Sequence, residues 1–278
     1  MWDTVEKCSL YLGNFAVKSL REEAKLTPKP ALVDLFNSGA HKDLNIEIMI
    51  KSAESLRDCF MDIAKVSYQN KPSKALQKSI SEIGLKGEEK MFHETNGVNT
   101  HKGAIFSLGL LVSSAAINKP GTSSDKIVAT ASILAKYFPD RNPNDITNGY
   151  RVMENFGVLG ARGEAEAGFP HVINYGLSTL EKARKNYIPE IFARIDALLV
   201  IMSNLEDTCL LHRGGMEALL LAQRGAKEII SLGGISTQNG RIAFDKLDLD
   251  LIKLNASPGG SADLLAATLF LDKLNSIN

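Results

Sequence analysis

The chain has 278 residues, of which 44% are hydrophobic, so it can form a large core in one domain or in two closely packed domains. Lysine plus arginine and aspartate plus glutamate number 32 each, and the formal net charge is zero. This balance argues against a nucleic-acid-binding protein, which usually presents a net basic surface, but it permits a local basic pocket for a small polyanion.

The N-terminus and the cysteines favour a cytoplasmic protein. Residues 1–7 lack the features of a signal peptide, and no window holds the roughly 18 uncharged apolar residues of a membrane span. Cys8, Cys59 and Cys209 are far apart and have no CxxC spacing, which indicates neither a disulfide framework nor a zinc ribbon. We therefore expect a reducing compartment, with no membrane and no nucleic acid as partners.

The first half of the chain predicts a series of helices. Asp3 or Thr4 can cap a first helix that extends to about residue 24, before the prolines of residues 27–30 end it. The irregular segment 31–43 carries His, Lys and two Asp, which favours a functional loop over an ordinary surface loop. Further helices are predicted at 45–68, 72–84, 88–93, 103–117 and 123–137, with a break at 84–87.

The second half continues in the same way. After a break at 139–143, helices are predicted at 145–156, 170–185, 189–202, 216–224 and 237–255, and the last one follows Ser261 as its N-cap. Gly225 is expected to end its helix, and the glycine-rich segment 157–168 is expected to be a turn. No segment alternates like a strand, so we predict a single all-α domain of about ten helices over residues 1–278.

Residues 97–103 form a polar turn before a strongly apolar helix. Thr100 is a plausible N-cap, and the free N–H groups of a helix N-terminus together with Lys102 suit a phosphate-like anion. The apolar helix is expected to lie buried in the middle of the domain. Three other polar turns, at 160–168, 213–215 and 257–261, also adjoin apolar helices, which predicts helix ends that converge on one polar pocket.

These turns and the 31–43 loop bring together cations and carboxylates. Cations suit phosphates and carboxylates suit Mg²⁺, so both in one pocket suggest a Mg²⁺–nucleoside polyphosphate. The cations are Lys29, Lys42, Lys102, Arg162 and Arg213, and the carboxylates are Asp34, Asp43, Glu88, Glu89, Glu164, Glu166, Asp207 and Asp263.

Common nucleotide and metal motifs are absent from the sequence. There is no GxxxxGK[ST], no GxGxxG on a βαβ unit and no HExxH. His41 and His101 have no diagnostic ligand spacing, and a lone histidine is more often structural. The residues alone therefore indicate a helical, nucleotide-using enzyme, with a Mg²⁺-dependent nucleotide hydrolase and a nucleotide-binding regulatory protein as alternatives.

Longer motifs point to one family. The sequence contains TPKP at 27–30, GAHKD at 39–43, GVNTHKG at 97–103, GARGEAEAG at 160–168 and SPGGSADLL at 257–265. In this order, from about residue 8 to 271, they resemble the triphosphoribosyl-dephospho-coenzyme A synthases. Two positions depart from the family pattern: Ala31 replaces the usual Gly after TPKP, and Cys209 replaces the Asn of Asp-Thr-Asn.

The resemblance implies an all-helical fold and one unusual reaction. ATP and 3′-dephospho-CoA would give 2′-(5″-triphosphoribosyl)-3′-dephospho-CoA and free adenine. The product is the precursor of the prosthetic group on the acyl carrier subunit of citrate lyase or malonate decarboxylase, so a downstream transferase to the apo-carrier protein is an expected partner. The resemblance does not indicate which lyase or decarboxylase is served, nor the oligomeric state.

The resemblance also implies roles for the polar residues. Breaking the N-glycosidic bond leaves the triphosphate on the ribose as a handle, and a carboxylate would take the proton of the attacking 2′-OH. The candidate catalytic residues are Glu164, Glu166 and Asp207. The candidate Mg²⁺ ligands are Glu88, Glu89, Glu164 and Asp207. The sequence does not distinguish which carboxylate is the base and which ones bind the metal. Lys102, Arg162, Arg213, His101, Gly103 and Ser261 would hold ATP and its triphosphate, and Lys29, His41, Lys42 and Asp43 the second substrate.

Overall fold

The computed structural model describes residues 3–139 and 147–276, and within these ranges all regular structure is helical. The all-α prediction is therefore confirmed, with somewhat more helices than the ten or so expected. The helices are α1 (Val5–Lys25), α2 (Ile46–Ser55), α3 (Arg57–Ser67), α4 (Lys74–Glu94), α5 (Lys102–Ile117), α6 (Ser124–Ala135), α7 (Asn148–Phe156), α8 (Gly160–Glu166), α9 (Ser178–Lys185), α10 (Glu190–Asn204), α11 (Thr208–Ser231), α12 (Gln238–Lys253) and α13 (Gly259–Asn275), with a π-helical turn at His171–Leu177. The predicted break at 139–143 and the predicted helix start at 145 fall largely outside the described residues.

Side-chain caps fix several helix starts. The Thr4 hydroxyl accepts from Lys7 N at 3.2 Å, and the Asn45 Oδ1 atom accepts from Ile48 N at 2.9 Å. The Ser73 hydroxyl caps α4 in the same way. Each cap satisfies one N–H group that lacks a partner within its helix, so these starts can be read from local sequence.

Three predicted boundaries at glycines are wrong. Gly84 and Gly87 lie inside α4, and a Cβ atom at Gly87 would come within 2.6 Å of Cys59 Sγ. Gly225 lies inside α11, where a Cβ atom would meet Leu247 Cδ1 at 2.5 Å. These glycines permit close helix packing rather than end helices. The predicted helix 45–68 is likewise two helices, α2 and α3, which meet at Leu56.

Two apolar cores share the last helix. α5 lies almost wholly buried in the first core, which also contains residues of α1, α3, α4 and α6. The second core is built mainly from α10, α11 and α12. Opposite faces of α13 serve the two cores, because Phe270 and Leu271 belong to the first and Leu265 and Leu269 to the second. Helix α13, including its N-terminal end, consequently lies between the two cores.

Among the described residues, no helix is both long enough and apolar enough to span a bilayer.

Candidate active site

A cavity of about 1030 Å³ lies where helix ends meet. It exceeds the usual size of a single small-molecule site, so it has room for two nucleotide-like ligands. Among the residues predicted for the site, those that line it are Lys29, His41, Lys42, Asp43, Glu88, His101, Lys102, Gly103, Arg162, Glu164, Asp207 and Arg213. Glu89, Glu166 and Ser261 are not among its lining residues. The convergence of polar turns that the sequence predicts is thus observed.

The N-terminus of α5 forms one wall, but Thr100 does not cap it. The Thr100 hydroxyl lies 2.5 Å from Ser52 Oγ on α2, and Asn99 Oδ1 instead accepts from Lys102 N at 3.3 Å. The Lys102 ammonium forms a 2.8 Å ion pair with Glu88 at the cavity edge. The first-turn N–H groups and Lys102 keep the positive character expected of an anion site.

His101 is almost completely buried beside this wall. Its Nδ1 atom lies 2.7 Å from Ser52 Oγ, whereas its Nε2 atom has no hydrogen-bond partner within the described part of the chain. Burial, reinforced by the positive charge of Lys29, lowers the pKa of His101 to about 3. The ring is therefore neutral near pH 7, and His101 cannot serve as a cation for the triphosphate.

Lys29 is committed to a partner inside the protein. Its ammonium lies 2.5 Å from Glu23 Oε1 and donates to the Glu23 carbonyl oxygen at 2.7 Å, and both side chains are nearly inaccessible. Its backbone N–H donates to Asp34 Oδ2 at 3.2 Å, which fixes the start of the 31–43 loop. Because this ammonium is both paired and almost inaccessible, Lys29 more readily anchors this loop than holds the second substrate.

His41 links the loop to Arg213. The guanidinium of Arg213 donates to His41 Nδ1 at 3.1 Å, so the Nε2–H group of the neutral ring donates to Ser257 Oγ at 3.0 Å. Burial and the nearby Arg213 charge lower the pKa of His41 to about 4. Lys42 and Asp43 lie exposed at the rim. His41 thus orients Arg213 toward the cavity opening.

The predicted turn at 157–168 is mostly helix, since it contains α8. Arg162 donates through Nε to Glu166 Oε1 at 2.7 Å and through its other nitrogens to the carbonyl oxygens of Pro139 and Phe138. The two bonds to carbonyl oxygens fasten α8 to the residues that follow α6. Arg162 lines the cavity, and its three bonds leave two of the five guanidinium N–H groups for a triphosphate.

Glu164 faces the opposite side of α8 from Glu166, as i, i+2 spacing on a helix requires. Its carboxylate accepts from the His171 backbone N–H at 2.8 Å and lies 2.7 Å from His171 Nδ1. Burial alone would lower the pKa of His171, but the hydrogen bond and charge of Glu164 outweigh it, and the pKa is raised overall. His171 was not predicted for the site because it follows in a separate helical turn.

Asp207 joins two helix N-termini. Its carboxylate caps α11 by accepting from Cys209 N at 2.9 Å, and it also accepts from the N–H and hydroxyl of Ser261 at 2.7 and 2.8 Å. Gly260 N donates to it as well. Ser261 is consequently a fully buried partner of Asp207 inside α13, not an N-cap of that helix or a cavity residue. These donors leave Asp207 poorly placed to bind a metal ion.

Asp263, two residues beyond Ser261 in α13, lines the cavity, and the sequence analysis assigned it no individual role. Its carboxylate receives no hydrogen bond from any described residue, and a Cβ atom at Gly103 would lie 2.1 Å from its Oδ2 atom. Burial, together with the negative charges of Glu23 and Asp207, raises its pKa well above the usual value. The SPGGSAD motif contains this residue, but an acidic residue in the first turn of a helix is common and does not by itself indicate a functional role.

The described residues contain no group of three or more His, Cys, Asp or Glu side chains arranged to hold a metal ion. Mg²⁺ that arrives with a triphosphate needs only one or two protein carboxylates, since phosphate oxygens and water complete its coordination. Glu88, at the cavity edge beside Lys102, meets that smaller requirement. The residues present therefore fit nucleotide-borne Mg²⁺ but not a protein-made metal cage.

Comparison with known proteins decides the family. The model of the family described as ATP:dephospho-CoA triphosphoribosyl transferase matches residues 9–278. The chain belongs to this family. It is also 43% identical over 264 residues to the 2-(5''-triphosphoribosyl)-3'-dephosphocoenzyme-A synthase of Klebsiella pneumoniae, covering 95% of this chain and 94% of that protein.

Similar proteins with the same name qualified as probable occur in other bacteria. That of Stutzerimonas stutzeri is 46% identical over 265 residues, which covers 95% of this chain and 91% of that protein. That of Azotobacter vinelandii is 45% identical over 264 residues, covering 94% and 90%. No solved structure matches the chain. Family membership makes the chain a transferase, which favours the synthase interpretation over a nucleotide hydrolase or a regulatory binding protein.

The structure explains one departure from the family pattern. Ala31 adopts a φ angle of +53°, the left-handed region in which the family's usual glycine would be free of strain. Its N–H donates to Asp248 Oδ1 at 2.7 Å, which holds the strained residue in place. Cys209, the other departure, lies beside Gly259 at the start of α13.

Proposed function

We propose that this cavity transfers the 5-triphosphoribosyl group of ATP to the 2′-OH of 3′-dephospho-CoA and releases adenine. Family membership identifies the two substrates, and one observation supports their location. Among the described residues, the start of α5, Arg213 and several buried carboxylates line a single cavity of a size that suits both nucleotides. The product would be 2′-(5″-triphosphoribosyl)-3′-dephospho-CoA.

Lys102 and Arg213 are the cations best suited to the triphosphate. Lys102 adjoins the free N–H groups of the first turn of α5, and Arg213 is held at the rim by His41. Mg²⁺ bound to the triphosphate would offset its charge, with Glu88 as the protein carboxylate nearest to Lys102. These groups position the ribosyl donor, because the phosphates remain intact during the transfer.

Glu164 is the carboxylate that best fits the base for the attacking 2′-OH. It lines the cavity, and two hydrogen bonds from His171 fix its orientation. Because a carboxylate has about four lone-pair positions, these two bonds leave capacity for the substrate hydroxyl. A single displacement would invert the configuration at C1″, as in inverting glycosidases.

The experiment incubates the protein with Mg²⁺ and ATP, with and without dephospho-CoA, and separates bases and nucleotides by chromatography. Adenine that appears only when dephospho-CoA is present supports the transfer. ADP, AMP, phosphate or pyrophosphate would instead indicate a nucleotide hydrolase. Unchanged ATP with tight binding would indicate a regulatory nucleotide-binding protein.

We propose that a second transferase attaches the product to the apo-acyl carrier subunit of citrate lyase or malonate decarboxylase. The product is a pantetheine-bearing nucleotide with an activated triphosphate. This chemistry is the only support for the step. Mass spectrometry of the carrier protein, incubated with product and that transferase, would detect the attached group.

A further inference from the structure

We propose that Asp263 is the catalytic acid that protonates adenine as it leaves, an inference that rests on the transfer reaction proposed above. Adenine is a poor leaving group as an anion, so its departure requires a proton donor at a ring nitrogen. Glu164 and Asp207 suit that role less well, because both carboxylates already accept hydrogen bonds from neighbouring protein donors.

Asp263 differs from Asp207 in its surroundings, although the two lie close together. Asp207 receives several backbone and hydroxyl hydrogen bonds, whereas Asp263 receives none from the described residues. The charged groups that act on Asp263 are the carboxylates of Glu23 on α1, which pairs with Lys29, and Asp207 at the start of α11. Burial, these two neighbouring carboxylates and the lack of a hydrogen-bond donor favour the neutral carboxylic acid.

Asp263 lies against a face of α5 that carries polar groups. The Asp263 carboxyl group contacts Gly103, and Ser107 lies one turn further along the same face. Within the described residues, His101 Nε2 and Ser107 Oγ are the buried side-chain polar atoms without a partner, and both residues line this cavity. Buried polar groups without partners are rare in proteins, so these two atoms point to a polar ligand.

A purine base can provide hydrogen-bond partners for these polar groups. Its ring nitrogens accept hydrogen bonds and its exocyclic amine donates them, so adenine can engage His101, Ser107 and the Asp263 hydroxyl. A neutral His101 also fits this arrangement, because a positively charged ring beside Asp263 would favour its ionised form.

In the proposed step, one proton passes to adenine and another leaves the attacking 2′-OH. The Asp263 carboxylic acid gives its proton to an adenine ring nitrogen while the C1″–N9 bond breaks and its electron pair passes to adenine. The 2′-oxygen of dephospho-CoA forms the new bond to C1″, and its proton passes to the Glu164 carboxylate. After product release, Glu164 returns this proton to solvent and Asp263 regains one, so the enzyme is unchanged.

The test compares the wild type with Asp263→Asn, which keeps the shape of the side chain but removes its acidic proton. Asp250→Asn is the matched control, since Asp250 pairs with Lys253 on α12 outside the cavity. Steady-state adenine release is measured from pH 6 to 9 in the presence of both substrates, and the dissociation constant of Mg²⁺-ATP is measured by calorimetry. Circular dichroism confirms folding of each variant.

The inference predicts that Asp263→Asn lowers kcat by about 100-fold or more while the dissociation constant changes by less than about threefold. It also predicts that the wild-type kcat declines at alkaline pH, as Asp263 ionises, and that this decline is missing in Asp263→Asn. Asp250→Asn should match the wild type in every measurement.

The role of Asp263 is overturned by a kcat for Asp263→Asn within about tenfold of the wild type, or by a pH profile of kcat that is the same in both proteins. Asp263→Ser is measured in the same way, so the test stands even if Asp263→Asn does not fold. A wild type that releases no adenine would overturn the proposed transfer together with this inference, so the two failures are distinguishable.

Discussion

Asp207 is a buried carboxylate that connects two of the helices lining the cavity. It satisfies N–H groups at the starts of both α11 and α13, which bring Arg213 and Asp263 to the cavity. The sequence suggested a catalytic or metal-binding role, because an acid in a polar turn is typical of either. Its hydrogen bonds to two separate helix ends instead indicate a structural role.

Asp207→Asn should therefore lower the free energy of unfolding by about 1–3 kcal/mol, because an amide nitrogen in place of one oxygen leaves buried donors without an acceptor. Urea denaturation followed by circular dichroism measures the change. Asp62→Asn, at an exposed ion pair with Lys65, is the control and should change stability by less than about 0.5 kcal/mol. Equal stability of the two variants would show that Asp207 does not join the helices.

Glu164 and His171 allow a second test at the scale of single residues. Because Glu164 raises the pKa of His171, Glu164→Gln should lower that pKa, which NMR titration of the ring can follow. The same variant should lower kcat by about 100-fold or more if Glu164 is the base. Glu82→Gln, at an exposed position on α4 outside the cavity, is the control, and a Glu164→Gln rate equal to that of Glu82→Gln would exclude Glu164 as the base.

At the scale of helices, α11 contains a sharp irregularity next to Arg213. Gly215 adopts φ +62° and ψ −158°, which interrupts the helical geometry and which side-chain-bearing residues rarely adopt. A Cβ atom there would meet nothing within 4 Å, so backbone conformation alone requires glycine. The kink sets the direction in which the first turns of α11 reach the cavity.

Gly215→Ala should consequently destabilise the protein by about 1–3 kcal/mol through backbone strain. Gly84→Ala is a matched control, since Gly84 lies in regular helix with Ile105 Cγ2 no nearer than 3.9 Å to the added Cβ atom. It should stabilise the protein by about 0.5–1 kcal/mol. Thermal unfolding distinguishes the two, and a shift of the same sign in both variants would contradict this account of the kink.

Helix starts were predictable where the capping partner is three residues away, as at Thr4, Asn45 and Ser73. Helix ends at glycine were not, because the sequence does not show what a glycine packs against. Gly87 and Gly225 each face a side chain from a distant helix, and that contact, not a turn, explains them.

At the scale of the whole molecule, the polar turns were correctly expected to meet, because helix ends carry unsatisfied groups that a polar pocket can use. The individual partners were not predictable, since the fold decides which polar groups meet, both across a single turn and between distant segments. Lys29 pairs with Glu23, and His41 pairs with Arg213. Asp263 is distinguished only in the structure, where no described residue donates a hydrogen bond to its carboxyl group. Spacing in sequence reveals which residues are polar, but not which ones already have a partner.

The most direct measurement of the central claim follows the ribose of ATP. ATP labelled with ¹³C in the ribose is incubated with Mg²⁺, dephospho-CoA and the protein, and all products are analysed by mass spectrometry. The account predicts unlabelled adenine and, in equal amount, a dephospho-CoA adduct that carries the labelled ribose and three phosphates. Label retained in ADP, AMP or adenosine, with no adduct, would contradict it.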